Sequence, residues 1–216
     1  MLSMNPAAGR TRLDLLCLGA HSDDIEIGCS GAVMRWLAEV PEVHVTWVVL
    51  SAPGERALEA RRSAKALLKG AASAEVVIGD FSDAHFPSET ARMKAFFAEL
   101  GQRTTPDLVL THRLEDRHQD HRTVAELTWQ AWRDHLVLEY EIPKYEGDLG
   151  QPNVYVPLPA EIARRKVRHL MKHFGTQRSK GWFTEATFQG LMALRGIECR
   201  APSGQAEALH ARKVVL

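Results

Sequence analysis

Along this chain, short apolar runs alternate with stretches whose apolar residues recur at helical spacing. LDLLCLGA (13–20), VHVTWVVLS (43–51), AEVVIGD (74–80) and DLVLTH (107–112) predict strands. Helices are predicted at Ile25–Glu39, Glu55–Lys69 (stopped by Gly70), Glu89–Gln102 and from Asp120 to about Asp134. In the first helix Ile25, Val33, Trp36 and Leu37 face the core; in the third, Met93, Phe96, Phe97 and Leu100 do so. The order is βαβαβαβα. Strands this continuously apolar are buried on both faces, so the pattern predicts a doubly wound α/β fold. Its mostly parallel sheet carries helices on both faces, a three-layer sandwich.

From Val137 the pattern weakens. VLEYEI reads as a further strand, and the rest of EYEIPKYEGDLGQPNVYVPLP, rich in Pro and Gly, reads as a long loop or cap. Helices follow at Ala160–Phe174 and Thr184–Arg195, and ARKVVL (211–216) predicts a last strand. The division expected is a flexible leader, 1–12, and one domain, 13–216. A chain of 216 residues, 45% hydrophobic, fills one core.

Charge narrows the function. Lys+Arg and Asp+Glu balance at 27 each, so there is no electrostatic footprint for nucleic acid and no polybasic signal for an anionic membrane. No apolar run reaches membrane-spanning length, and the first residues lack a signal-peptide core. Cys17, Cys29 and Cys199 form no CxxC pair and no even framework, which fits a reducing, cytoplasmic setting. Association of copies of the chain stays open.

Ligands of open α/β sheets bind beyond the carboxyl ends of the strands. Two polar clusters fall there: HSDD (21–24) after the first strand and HRLEDRHQDH (112–121) after the fourth. Distant in sequence, they meet along one sheet edge. Two imidazoles and a carboxylate suit a zinc site with one open position, and His21, Asp24 and His121 are the candidate ligands. Adjacent side chains diverge, so Asp23 is free to act as general base on the activated water. A protonated His118 would stabilise the oxyanion and help protonate the leaving amine, with Asp120 orienting it and raising its pKa. Gly28 and Gly31 allow close approach of helix and backbone.

These residues carry a resemblance. His21-Ser22-Asp23-Asp24-x-Glu26 resembles the first signature of the LmbE-like, or PIG-L, family of zinc-dependent N-deacetylases. His118-Gln119-Asp120-His121 resembles its second, His-x-Asp-His, and Gly54-Glu55-Arg56-x-x-Glu59 is also similar. The likeness runs to about Thr123. It implies a Rossmann-like sandwich and hydrolysis of the N-acetyl group of an N-acetylglucosamine unit in a small-molecule conjugate. It implies one zinc held by His21, Asp24 and His121, Asp23 as base, His118 with Asp120 as oxyanion and acid partner, and Arg56 on the substrate. The family usually has Pro where this chain has Ser22. Proline would stiffen that turn.

Other readings stand beside these. Asp23 and Asp24 can simply cap a helix, and Arg56 can pair with Glu59 in solvent. Glu26 either supports the metal loop or lies on the helix surface. His112, Glu115 and Asp116 either line the site or are surface polar groups. His169 and His173, four apart in a basic helix, lack the HExxH glutamate and read as a solvated face. Trp129 and Trp132 read as core. Trp182 could stack on a sugar, and Tyr140, Lys144, Tyr145 and Glu146 lie where a capping loop would be. Rival functions are an amidase for a bulkier N-acyl group, a non-catalytic nucleotide-binding module and a phosphoesterase. The second lacks GxGxxG and GxxxxGK[ST] here; the third would use two metal ions, where these donors suffice for one. Fe(II) or Co(II) would also suit the same donors.

Overall fold

Strand β1 (Arg12–His21) shows how the apolar runs are used. Its side chains alternate, so Leu13, Leu15 and Cys17 enter one core, while Leu16, Leu18 and Ala20 enter a second on the opposite face. The computed structural model describes residues 4–215. Met1–Ser3 of the expected leader and Leu216 of the expected last strand lie outside the described residues. Ala7, within the expected leader, is buried against the first core.

The remaining elements, in chain order, are α1 (Asp24–Glu39), β2 (Glu42–Ser51), α2 (Glu55–Leu67), β3 (Ser73–Ile78), α3 (Thr90–Arg103), β4 (Leu108–Thr111) and α4 (Gln119–Ala131). They continue with β5 (Leu136–Tyr140), β6 (Val154–Pro157), α5 (Ala160–His173), α6 (Glu185–Cys199) and β7 (Ala206–Ala211). The sheet order is β3-β2-β1-β4-β5-β7-β6. The first five strands in that order run parallel; β7 is antiparallel to both β5 and β6. Helices α1, α2, α5 and α6 bury their apolar faces in the first core, and α3 and α4 in the second. This is the expected three-layer α/β sandwich. Among the described residues no helix is long and apolar enough to cross a membrane.

The second half departs from expectation in two places. Strand β6 lies inside the segment read as loop; it is a four-residue, half-exposed edge strand among prolines. The last strand is Ala206–Ala211 rather than 211–216. Its AEALHA carries weak strand propensity, and Glu207 is buried there through an ion pair with Lys166 at 2.5 Å. The apolar Val214 and Val215 that suggested the later strand are exposed.

Sheet order reverses between β1 and β4: the connection from β1 leads to β2 on one side, and that from β4 to β5 on the other. The two loops diverge and leave a crevice at the strands' carboxyl ends. HSDD and HRLEDRHQDH both open into it.

Candidate active site

His21 is the last residue of β1, and Asp24 opens α1 three residues later. The turn is tight enough for Asp24 to reach back, its Oδ2 accepting the His21 backbone N–H at 2.6 Å. His121 comes from the first turn of α4. Three donor atoms converge: His21 Nδ1 to His121 Nε2 is 3.3 Å, His21 Nδ1 to Asp24 Oδ2 is 3.4 Å, and His121 Nε2 to Asp24 Oδ2 is 3.5 Å. A tetrahedral ion with bonds of roughly 2.0–2.1 Å has ligand atoms roughly 3.3–3.4 Å apart. The donor set therefore fits one such ion in both chemistry and spacing. All three side chains are buried and form one of the groups able to hold a metal.

The carboxylate of Asp23 answers the capping alternative. Asp23 is the N-cap residue of α1, yet its side chain makes no capping hydrogen bond. Instead its Oδ1 accepts from Arg56 Nη2 at 3.2 Å. Burial, then the neighbouring Asp24 charge, raises its pKa, and Arg56 opposes that rise. Arg56 is not left free for solvent or for Glu59. Its Nε donates to Ser22 Oγ at 3.0 Å and its Nη1 to Asp83 Oδ2 at 3.1 Å. Ser22 thus adds an acceptor for Arg56 that proline cannot provide.

The placement of His118 and Asp120 differs from the expected pairing. His118 caps α4, its Nδ1 accepting the Asp120 backbone N–H at 3.2 Å. That leaves Nε2–H as the donor of a neutral ring. Burial and the facing His21 lower its pKa rather than raise it, although Asp120 pulls the other way. The Asp120 carboxylate lies elsewhere: Oδ2 is 3.2 Å from His21 Nε2 and accepts Ala84 N–H at 2.7 Å, while Oδ1 accepts Phe86 N–H at 3.1 Å. Asp120 therefore orients His21 and fastens the loop after β3. From that loop Asp83 Oδ1 reaches His21 Nε2 at 3.1 Å. Burial disfavours the His21 cation, but bonds to Asp120, Asp24 and Asp83 carry its pKa well above the ordinary value.

His112 and Asp116 line the site from beneath. His112 is wholly buried and stacks on His121, ring centres 3.9 Å apart. Its Nε2 accepts Ala20 N–H at 3.0 Å and lies 3.2 Å from Asp24 Oδ2. Asp116 Oδ2 accepts from His121 Nδ1 at 3.0 Å, which turns His121 Nε2 toward the other donors. Burial and His112 lower the His121 pKa to about 4, so its ring is neutral near pH 7. The sequence signal for His112 was available, since like His21 it sits where an apolar strand ends. Asp83 left no such signal, lying in a loop whose contact with α4 depends on the fold.

The cleft above these groups has a volume of about 250 Å³ and includes Arg56, Lys144, Tyr145, Glu146, Lys180 and Trp182 in its walls. The capping-loop expectation is met for Lys144, Tyr145 and Glu146. Tyr140 is instead buried in β5, donating to Leu18 O at 2.6 Å. Glu26 is wholly buried and bonded to Ser63 Oγ, not on the helix surface. Burial pushes its pKa up to about 8. His169 accepts or donates at Ser63 Oγ over 2.8 Å, and neither it nor His173 belongs to a metal-capable group among the described residues. Trp132 is core; Trp129 is partly buried and donates to Glu139 at 2.7 Å.

Fold and site together describe an α/β protein with a buried His/Asp donor cluster at the switch point of a mostly parallel sheet. The chain belongs to the PIG-L family, described as GlcNAc-PI de-N-acetylase, whose model matches residues 16–132, more than half of the chain. It is 25% identical over 176 residues to the uncharacterized deacetylase YaiS of Escherichia coli (strain K12), covering 77% of this chain and 94% of that relative. Its fold is shared with the N,N'-diacetylchitobiose deacetylase of Pyrococcus horikoshii, with a TM-score of 0.67 at 16% identity over 96% of this chain and 85% of that one. It is shared equally with the 4-carboxy-2-hydroxymuconate hydratase GalB of Pseudomonas putida KT2440, with a TM-score of 0.71 at 20% identity over 94% of this chain and 98% of that one. Different chemistries on one fold mean that function has to be argued from the site.

Proposed function

We propose that this protein is a metal-dependent N-deacetylase that hydrolyses the N-acetyl group of an N-acetylglucosamine-type sugar in a small-molecule conjugate. The observation that carries the reading is the triangle of His21 Nδ1, Asp24 Oδ2 and His121 Nε2, with the uncapped carboxylate of Asp23 beside it. Family membership and the deacetylase relative support the same reaction class. His21, Asp24 and His121 would hold one divalent ion; zinc suits two imidazoles and a carboxylate, and Fe(II) or Co(II) share the preference. Three free cysteines fit a reducing, cytoplasmic setting.

Bound there, the metal supplies Lewis acidity, polarising the acyl carbonyl and making the attacking water more acidic. Asp23 takes the proton from that water. Its raised pKa suits it to hold the proton and pass it to the departing nitrogen. Arg56 fixes the Asp23 carboxylate in place while lining the cleft. His118, neutral and anchored through Nδ1, directs Nε2–H at the developing oxyanion. The bond broken is the amide C–N; the products are acetate and the free amine.

The test is acetate release from a panel of N-acetylglucosamine conjugates by wild type and Asp23→Ala, beside the same conjugates with longer N-acyl chains. Release of acetate by wild type alone supports the reading. Release of only the longer acids would convert it to a bulky-acyl amidase, and no release of any acid would refute it.

A further inference from the structure

One oxygen serves two partners behind the candidate metal centre. Asp116 Oδ2 accepts from His121 Nδ1 at 3.0 Å and from Lys144 Nζ at 3.0 Å. The other oxygen, Oδ1, accepts the His118 backbone N–H at 2.7 Å, which fixes the carboxylate's orientation. Lys144 belongs to the loop between β5 and β6, whose residues form one wall of the cleft. Its ammonium also sits 2.7 Å from both oxygens of Asp148, at the far end of the same loop. Asp148 is held in turn by Arg117 N–H at 2.6 Å. The side chains of Lys144, Asp116 and Asp148 are each under a tenth exposed. At its tip the loop is pinned again, where Tyr145 Oη accepts Gly181 N–H at 3.1 Å.

We propose that Asp116 is a positioning residue that, through Lys144, couples occupancy of the metal centre to the order of the loop 142–150 over the substrate cleft. The inference rests on the reading of His21, Asp24 and His121 as metal ligands. A neutral imidazole can carry its proton on either nitrogen. Coordination through Nε2 confines the proton to Nδ1, where it must point at Asp116. Asp116 then presents a fixed carboxylate oxygen to Lys144. A buried ammonium is stable only with such partners, so the loop it anchors is held closed. Coupling of two binding events is reciprocal: whatever orders the loop also tightens the metal.

The experiment uses the full chain stripped of metal and titrated with zinc against a competing chelator. Hydrogen exchange of residues 142–150 is followed with and without zinc, and thermal unfolding checks that each variant folds. In wild type, zinc should slow exchange across 142–150. Asp116→Asn should weaken zinc binding by roughly 10–100-fold. Lys144→Met, should Asp116→Asn fail to fold, carries the test alone. It should weaken zinc binding by several-fold and abolish the zinc-dependent protection, and Lys144→Arg should restore part of both. Full zinc binding by wild type with no change in loop exchange, or zinc-dependent protection retained in Lys144→Met, would overturn the coupling and leave the metal site standing. Failure of wild type to bind zinc would remove the metal reading and the coupling together.

Discussion

Nη2 of Arg56 lies 3.2 Å from Oδ1 of Asp23, and the same guanidinium reaches Ser22 and Asp83. An arginine lining the cleft thus has one of its donors on Asp23, the proposed general base. Arg56→Ala should lower kcat/KM by about tenfold to a hundredfold with zinc content unchanged, because an unheld base is misplaced by a fraction of an ångström or more. Arg56→Lys should recover little, since a single ammonium cannot bridge three acceptors. Steady-state kinetics with metal analysis of both variants checks this.

Removal of the proposed base itself should be more severe. Asp23→Ala should keep bound zinc and lose roughly 10²–10⁴-fold in kcat, the usual contribution of a positioned general base. A loss of zinc in step with activity would instead make Asp23 a ligand. Zinc content and single-turnover rates on the same preparations separate the outcomes.

A third expectation concerns helix α1. Glu207 accepts the mid-helix N–H groups of Gly31 and Ala32 at 2.7 and 2.6 Å, and Lys166 occupies Ile27 O at 2.6 Å. A Cβ on Gly31 would sit 2.7 Å from Glu207 Oε1 and 2.6 Å from Leu158 Cδ1. Gly31→Ala should destabilise by ~1–3 kcal/mol through overpacking, with zinc affinity in the folded fraction nearly unchanged. Denaturant unfolding and zinc titration check the two halves.

Two partly buried histidines outside the donor cluster should each make the fold less stable in acid. Burial lowers the pKa of His169 to about 3 and of His210 to about 4. Their unfolded values lie near ~6.5, so above that pH both states bind equally few protons and the full stability is present. As pH falls below ~6.5 the unfolded chain takes up protons that the folded chain refuses, and stability drops until the folded pKa values are reached. At pH 5 these two histidines together should cost on the order of 2 kcal/mol, allowing for partial exposure. Glu26, whose folded pKa of about 8 lies above its unfolded value, gains stability as pH falls over the same range and offsets part of that loss. His169→Asn should shift the Tm difference between pH 5 and 6.5 toward greater stability at pH 5; an unchanged difference would refute the assignment.

The parallel half of the fold was legible because its strands are buried on both faces and so carry unbroken apolar runs. The antiparallel half was not. Strand β7 is built from alanines and a buried ion-paired glutamate, and β6 is a short edge among prolines. In the site, the donor triangle could be read from residue types at two strand ends, because the carboxyl ends of the neighbouring parallel strands β1 and β4 lie side by side. The partners of Asp120 could not. Its carboxylate faces His21 and the loop after β3, a contact set by how α4 packs and by no local spacing. The same holds for Asp116 and Lys144, 28 residues apart, whose bond depends on the path of the loop between β5 and β6.

The central claim is that His21, Asp24 and His121 bind one metal ion that the deacetylation requires. The most direct measurement strips the metal from the full chain and adds zinc back in fractions of an equivalent while acetate release is recorded. The account predicts no release from the stripped protein and recovery that rises linearly to one equivalent, absent in His121→Ala. Undiminished release from protein shown to be metal-free would contradict it.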